Sequence, residues 1–150
     1  WLAPYMAGLT RLTQLQKLPF QTYLMNTLDW KQQTQLERLV PSLIEAPSGN
    51  AVKVDYTPCR EGRPPVLALK LQEAFGWQAT PTVADGRVPV TLHLLSPARR
   101  PLQVTQDLRS FWLNGYSEVR KEMRGRYPKH PWPEDPLTAQ ATAYTKRRQR

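Results

Sequence analysis

Five cations stand close together near the end of the chain: Arg120, Lys121, Arg124, Arg126 and Lys129. On a helix Arg120 and Arg124 are four apart and share one face with Lys121 beside them, while Val119 and Met123 turn to the opposite side. Such a helix is amphipathic with a cationic edge. Arg99 and Arg100 add two charges upstream, and Tyr127 and Trp132 interleave rings with the cations. Single-stranded nucleic acid is held by this combination, because cations meet phosphates and rings accept stacked bases. Nine residues, Arg99, Arg100, Arg120, Lys121, Arg124, Arg126, Tyr127, Lys129 and Trp132, therefore form the candidate binding surface. An alternative stays open: Glu118 and Glu122 partly neutralise the helix, Trp132 can anchor the chain, and the basic edge can latch onto an acidic surface of its own protein.

Other chemistry has less support. A phosphate-binding loop needs a lysine directly after a glycine, so that backbone N–H groups and an ammonium converge on the nucleotide. No Gly-Lys pair occurs, and no Asp-Glu pair closes an apolar strand to hold magnesium, so ATP hydrolysis by these residues is not expected. His93 and His130 each lack a second ligand at three or four residues, which argues against a metal site. His93 reads as a packing or hydrogen-bonding residue of a strand. Glu134 and Asp135, between prolines, read as a solvated turn rather than an acid–base pair. Cys59 is the single cysteine, which excludes an intrachain disulfide and, without a base nearby, reads as a spectator thiol.

These residues need elements to carry them, and 150 residues suffice for one ordinary core. Residues 1–98 hold nine basic and seven acidic side chains, and residues 99–150 hold twelve and five, so the net charge of +9 resides mostly in the last third. A polyanionic partner follows from that asymmetry. No run approaches the ~20 apolar residues of a membrane span and no signal segment is visible, so a cytoplasmic protein without membrane contact is expected. Trp1 opens an apolar run with no cap before it, as in a piece of a longer chain.

An α+β fold is expected in three parts. Residues 1–42 predict short helices punctuated by Pro19 and Pro41, the last running from Trp30 to Val40 with Asp29 as its N-cap. Residues 43–127 predict a small sheet with packed helices. Strands are expected at Val52–Tyr56, Val66–Leu69, Val88–Leu94 and Leu102–Thr105. A helix carrying Leu71 and Phe75 should end at Gly76; another, capped by Asp107 or Thr105, holds Leu108, Phe111 and Trp112; a third follows Asn114-Gly115, from about Ser117 to Arg124. Residues 128–150 read as an extended Pro-rich arm and a flexible basic tail, pinned only by Trp132 and Tyr127 and mobile from about Pro136.

The string Val88-Pro89-Val90-Thr91-Leu92-His93-Leu94-Leu95-Ser96-Pro97-Ala98-Arg99-Arg100-Pro101-Leu102, running on to Phe111-Trp112, resembles the C-terminal region of bacterial HrpB-type DExH-box helicases. The likeness continues through Glu118-Val119-Arg120-Lys121-Glu122-Met123-Arg124-Gly125-Arg126-Tyr127-Pro128-Lys129-His130-Pro131-Trp132-Pro133-Glu134-Asp135-Pro136. Upstream, Trp1 to Tyr5, Pro47-Ser48-Gly49, and Pro65-Val66-Leu67-Ala68 with Leu71-Gln72-Glu73 look like the same family; the loop from Thr57 to Pro64 is longer than its pattern. The resemblance implies a parent protein that hydrolyses ATP and acts on RNA in the bacterial cytoplasm. It implies that ATP and magnesium belong to motor domains outside this chain, which itself takes no cofactor and has no catalytic residue. Its expected partners are the helicase core of the same polypeptide and RNA.

Overall fold

The computed structural model describes residues 1–146, which divide into two compact units, Trp1–Val40 and a second beginning at Pro41. The first unit is a train of short helices: a 3-10 turn at Ala3–Tyr5, then α1 (Leu12–Leu15), α2 (Phe20–Met25) and α3 (Trp30–Leu39). Asp29 caps α3 as expected. Its carboxylate accepts from Gln32 N at 2.7 Å and Gln32 Oε1 accepts from Asp29 N at 3.0 Å, which satisfies two N–H groups that a helix start leaves unpaired. Gln33 Nε2 donates to the carbonyls of Met25 and Leu28, tying α3 to the end of α2. Tyr5 and Tyr23 stack with ring centroids 3.7 Å apart. No residue of this unit is fully buried, and Trp30 is 80% exposed.

The second unit is built on a five-stranded sheet of order β1-β2-β3-β6-β7. Its strands are β1 (Leu43–Glu45), β2 (Ala51–Asp55), β3 (Val66–Lys70), β6 (Thr91–Leu95) and β7 (Pro101–Thr105). Only β3 and β6 pair in parallel. A separate ribbon joins β4 (Thr82–Val83) to β5 (Val88–Pro89) around a turn in which Ala84, Asp85 and Gly86 all have positive φ. The continuous strand expected at Val88–Leu94 is thus two strands broken at Val90. Pro89 has no N–H to give to the main sheet, and Val90 donates to Pro81 O instead. The helix expected after Leu69 is a single 3-10 turn, Leu71–Glu73; every residue from Leu71 to Phe75 is buried, which leaves no face for water. The expected cap is also displaced: Ala74 caps the turn, its N–H donating to Leu71 O, and Gly76, with φ of +90°, lies further on, in a turn where Trp77 N donates to Ala74 O.

Asp107 accepts from Ser110 N and starts a helix that does not stop at Asn114-Gly115. α4 (Leu108–Ser110) passes through a π-helical turn, Phe111–Gly115, into α5 (Tyr116–Arg126). The expected break between two helices is replaced by one wide turn. One face of the sheet, with Val54, Leu67, Leu69, Leu92 and Leu94, shares a core with Leu71, Phe75, Leu108, Phe111, Trp112, Tyr116 and Met123. Phe75, Trp112 and Tyr116 meet in tilted and edge-on pairs at 5.5–6.0 Å, a favoured aromatic geometry.

The Pro-rich stretch returns to this core. Trp132 is buried, and Leu137, Ala139 and Ala141 pack against the cluster. Gly76 N donates to Pro136 O, and Thr142 N donates to Gln72 O. Fastening by Trp132 and Tyr127 alone is corrected: Leu137, Ala139 and Ala141 and backbone hydrogen bonds hold the stretch as well. The basic end at 147–150 lies outside the described residues.

Candidate nucleic-acid interface

α5 is amphipathic in the sense expected. Tyr116 and Met123 enter the core, and Lys121, Arg124 and Arg126 face water, followed by exposed Lys129. Arg126 pairs with Glu122 one turn away at 3.4 Å, a surface ion pair of small energetic consequence.

Arg120 has a different job. Its Nε donates to Trp132 O at 2.9 Å, and its guanidinium lies 3.8 Å from the exposed Glu134 carboxylate. Trp132 Nε1 donates to Tyr127 O at 2.9 Å, and Tyr116 Oη donates to Pro133 O at 2.7 Å. Three side-chain donors thus serve three carbonyls of a proline-rich stretch that can neither form a helix nor join a sheet. Burial pushes the Tyr116 phenol up, which keeps it a donor throughout the physiological range. Trp132, 6% exposed, has no ring face free for a base. Tyr127 is half-buried and stands edge-on to His130 with centroids 6.2 Å apart. Arg120, Tyr127 and Trp132 therefore act within the fold, while Lys121, Arg124, Arg126 and Lys129 are presented outward.

Arg99 and Arg100 occupy the turn from β6 to β7, where Arg100 N donates to Ser96 Oγ. Arg99, at φ +62°, lines a cavity of about 390 Å³ with Lys53 and Lys70. The nine candidates accordingly fall into an exposed group on α5 and its exit, an internal group, and a turn at the sheet.

Gln72, which the sequence did not single out, and His130 together organise the return of the chain. Gln72 is wholly buried, and its Nε2 donates to the carbonyls of Thr142 and Tyr144 at 2.8 and 3.1 Å. Its Oε1 is left to face His130 Nδ1 at 2.8 Å, which makes that nitrogen the proton carrier. Burial and the Lys70 ammonium hold His130 below the usual imidazole value. His93 is half-buried on the sheet face away from the core, and Cys59 is exposed. Asp135 accepts from Leu137 N and Thr138 Oγ1; these two bonds, the hydroxyl first, lower its carboxyl, so it closes a turn. Among the described residues no three His, Cys, Asp or Glu side chains gather as metal ligands, and no helix is long and apolar enough to cross a membrane.

Comparison with known proteins places this architecture. Residues 1–136 match the ATP-dependent helicase C-terminal family, HrpB_C. Over 147 residues, 98% of the chain, the sequence is 46% identical to the ATP-dependent RNA helicase HrpB of Escherichia coli K12. The crystal structure of the E. coli DExH-box NTPase HrpB superposes with a TM-score of 0.88 over 97% of the chain at 46% identity. A crystal structure of the Escherichia coli DEAH/RHA helicase HrpB gives 0.69 over 88% at 45% identity. The chain spans 18% of the length of that curated relative.

Proposed function

The chain belongs to the C-terminal family of HrpB-type ATP-dependent helicases, and from that premise we propose that it is a non-catalytic accessory domain that gives RNA a basic surface beside the motor. The observation that carries this reading is the set Lys121, Arg124 and Arg126, exposed on a helix whose inner side is fixed in the core, with exposed Lys129 just beyond its end. None of these four cations lies in the buried core. A surface of this kind is available to phosphates, whose contacts are blind to sequence. ATP and magnesium belong to motor domains of the parent, which acts on RNA in the cytoplasm; this chain turns over no nucleotide.

The test is the affinity of the chain for single-stranded and duplex RNA across a salt series. Replacing the four cations with Gln should flatten the slope of log affinity against log salt by up to about three units, at ~0.7 per contact on a single strand. Unchanged slope in the variant, or no salt-sensitive binding by the wild-type chain, would overturn the reading. A second reading, docking on the helicase core, is favoured by one observation: Trp1, Leu12, Leu24 and Trp30 of the helical unit are exposed apolar side chains. It predicts that replacing Trp30 with Ser alters the ATPase response of the intact helicase without altering RNA binding by this chain.

A further inference from the structure

On the face of the sheet turned away from the core, Lys53, Ala68 and Val104 are exposed and Lys70 and His93 are half-buried. Strand register assigns its occupants, since side chains alternate and paired residues share a side. Ala68 pairs with His93, Lys70 with Leu95 and Val66 with Thr91, while His93 pairs with Val104 and Asp55 with Val66. Lys53 continues the same row and pairs with Leu43. Two hollows lie on this face. One, of about 390 Å³, is bordered by Lys53, Lys70 and Arg99. The other, of about 570 Å³, is bordered by Pro58, Pro64, Val66, His93 and Val104, with Asp55 at its rim. Lys53 and Ala68 line both, so the hollows form one continuous trough.

The two ends differ in chemistry. At the first, three cations make no ion pair within 4 Å among the described residues. The one carboxylate there, Glu73, already accepts from Ser48 Oγ and Asn50 Nδ2. At the second, exposed Asp55 stands beside apolar walls and Arg63, a cation already paired with Glu61; the Asp55 carboxyl is held low by the backbone N–H of Thr57 and then its hydroxyl. An acidic peptide would bring carboxylates against Asp55. A nucleotide fits both ends: phosphate against Lys53, Lys70 and Arg99, base against Val66, His93 and Val104, with an exocyclic amine donating to Asp55.

We propose that this open sheet face is a second binding path for single-stranded RNA, distinct from α5, with Lys53, Lys70 and Arg99 as its phosphate clamp. It rests on the reading of the chain as an RNA-contacting domain. The probe is a short fluorescein-labelled oligocytidylate, whose bases carry the exocyclic amine, titrated into the full chain between about 50 and about 200 mM salt. Replacing Lys53, Lys70 and Arg99 together with Gln should remove about two units of salt slope, at ~0.7 per contact, and leave the urea midpoint unchanged. Amide shifts at Ala68, His93 and Val104 should move on titration, and should still move when Lys121, Arg124, Arg126 and Lys129 are Gln. If the wild-type chain binds but the triple variant keeps its slope and those amides stay still, this inference falls while the α5 reading stands. If the wild-type chain binds no RNA, both fall. Equal displacement of the probe by polyglutamate of matched charge would overturn RNA in favour of an acidic protein surface.

Discussion

Trp132 shows how one side chain can invite the wrong role. In sequence it stands among cations and prolines, as a stacking platform would; in the fold its ring is buried and its N–H serves Tyr127 O. Trp132→Ala should therefore cost about 3–5 kcal/mol of stability in urea unfolding. Trp132→Phe, which keeps most of the bulk and loses the hydrogen bond, should cost about 1–2 kcal/mol. A stable alanine variant with weakened RNA affinity would return the ring to the binding surface. His130 offers a pH dependence with a definite sign. Tyr127 and Lys70 face it, its Nδ1–H is committed to Gln72, and its pKa in the fold lies below the ordinary ~6.5. The unfolded chain then takes up the proton first, so the contribution is complete above that ordinary value and is lost as pH falls through it to the folded pKa. Urea midpoints between about pH 7.5 and about pH 5.5 should fall more steeply for the wild type than for His130→Asn, which keeps a donor and cannot titrate. Nothing in sequence joins Gln72 to His130. The pair exists because the chain comes back across 58 residues.

At the scale of elements, the local grammar was readable where one side of a segment stays wet. The strand at β2, the Asp29 cap, Asp107 as one of two cap candidates and the cationic edge of α5 were expected from the sequence. Segments buried on every side, such as Leu71–Phe75, carry no period, and a helix was inferred where a single turn exists. β1 was missed because three residues hold too little pattern. The trough was invisible for a related reason: Lys53, Lys70 and Arg99 meet only through the pairing order of β2, β3 and β6. Asn114-Gly115 misled in the other direction, since a turn signal became a π-helical turn. A Cβ at Gly115 would stand 2.9 Å from Phe111 Cδ2. Gly115→Ala should cost about 1–3 kcal/mol by overpacking, measured by urea unfolding, with near-UV dichroism reporting displacement of the neighbouring rings. An alanine variant as stable as the wild type would show that the wide turn relaxes without cost.

At the scale of the whole molecule, the last described segment completes the second unit. Ending the chain at Pro136 leaves Trp132 in place and removes the two carbonyls that accept from Gln72 Nε2. A buried amide without partners costs about 1–3 kcal/mol, so this truncated chain should unfold at lower urea than the full one. Equal midpoints would mean that residues 137–146 contribute nothing to stability. The same clasp imposes a timetable on synthesis. Gln72 and Thr142 are 70 residues apart. At the ~5–20 residues per second of translation, roughly 4–14 s separate the making of the amide from the making of its acceptor. Throughout that interval Leu71 and Phe75 have been translated and the segment that seals them has not, so each nascent copy passes through a window in which its stickiest residues await their cover.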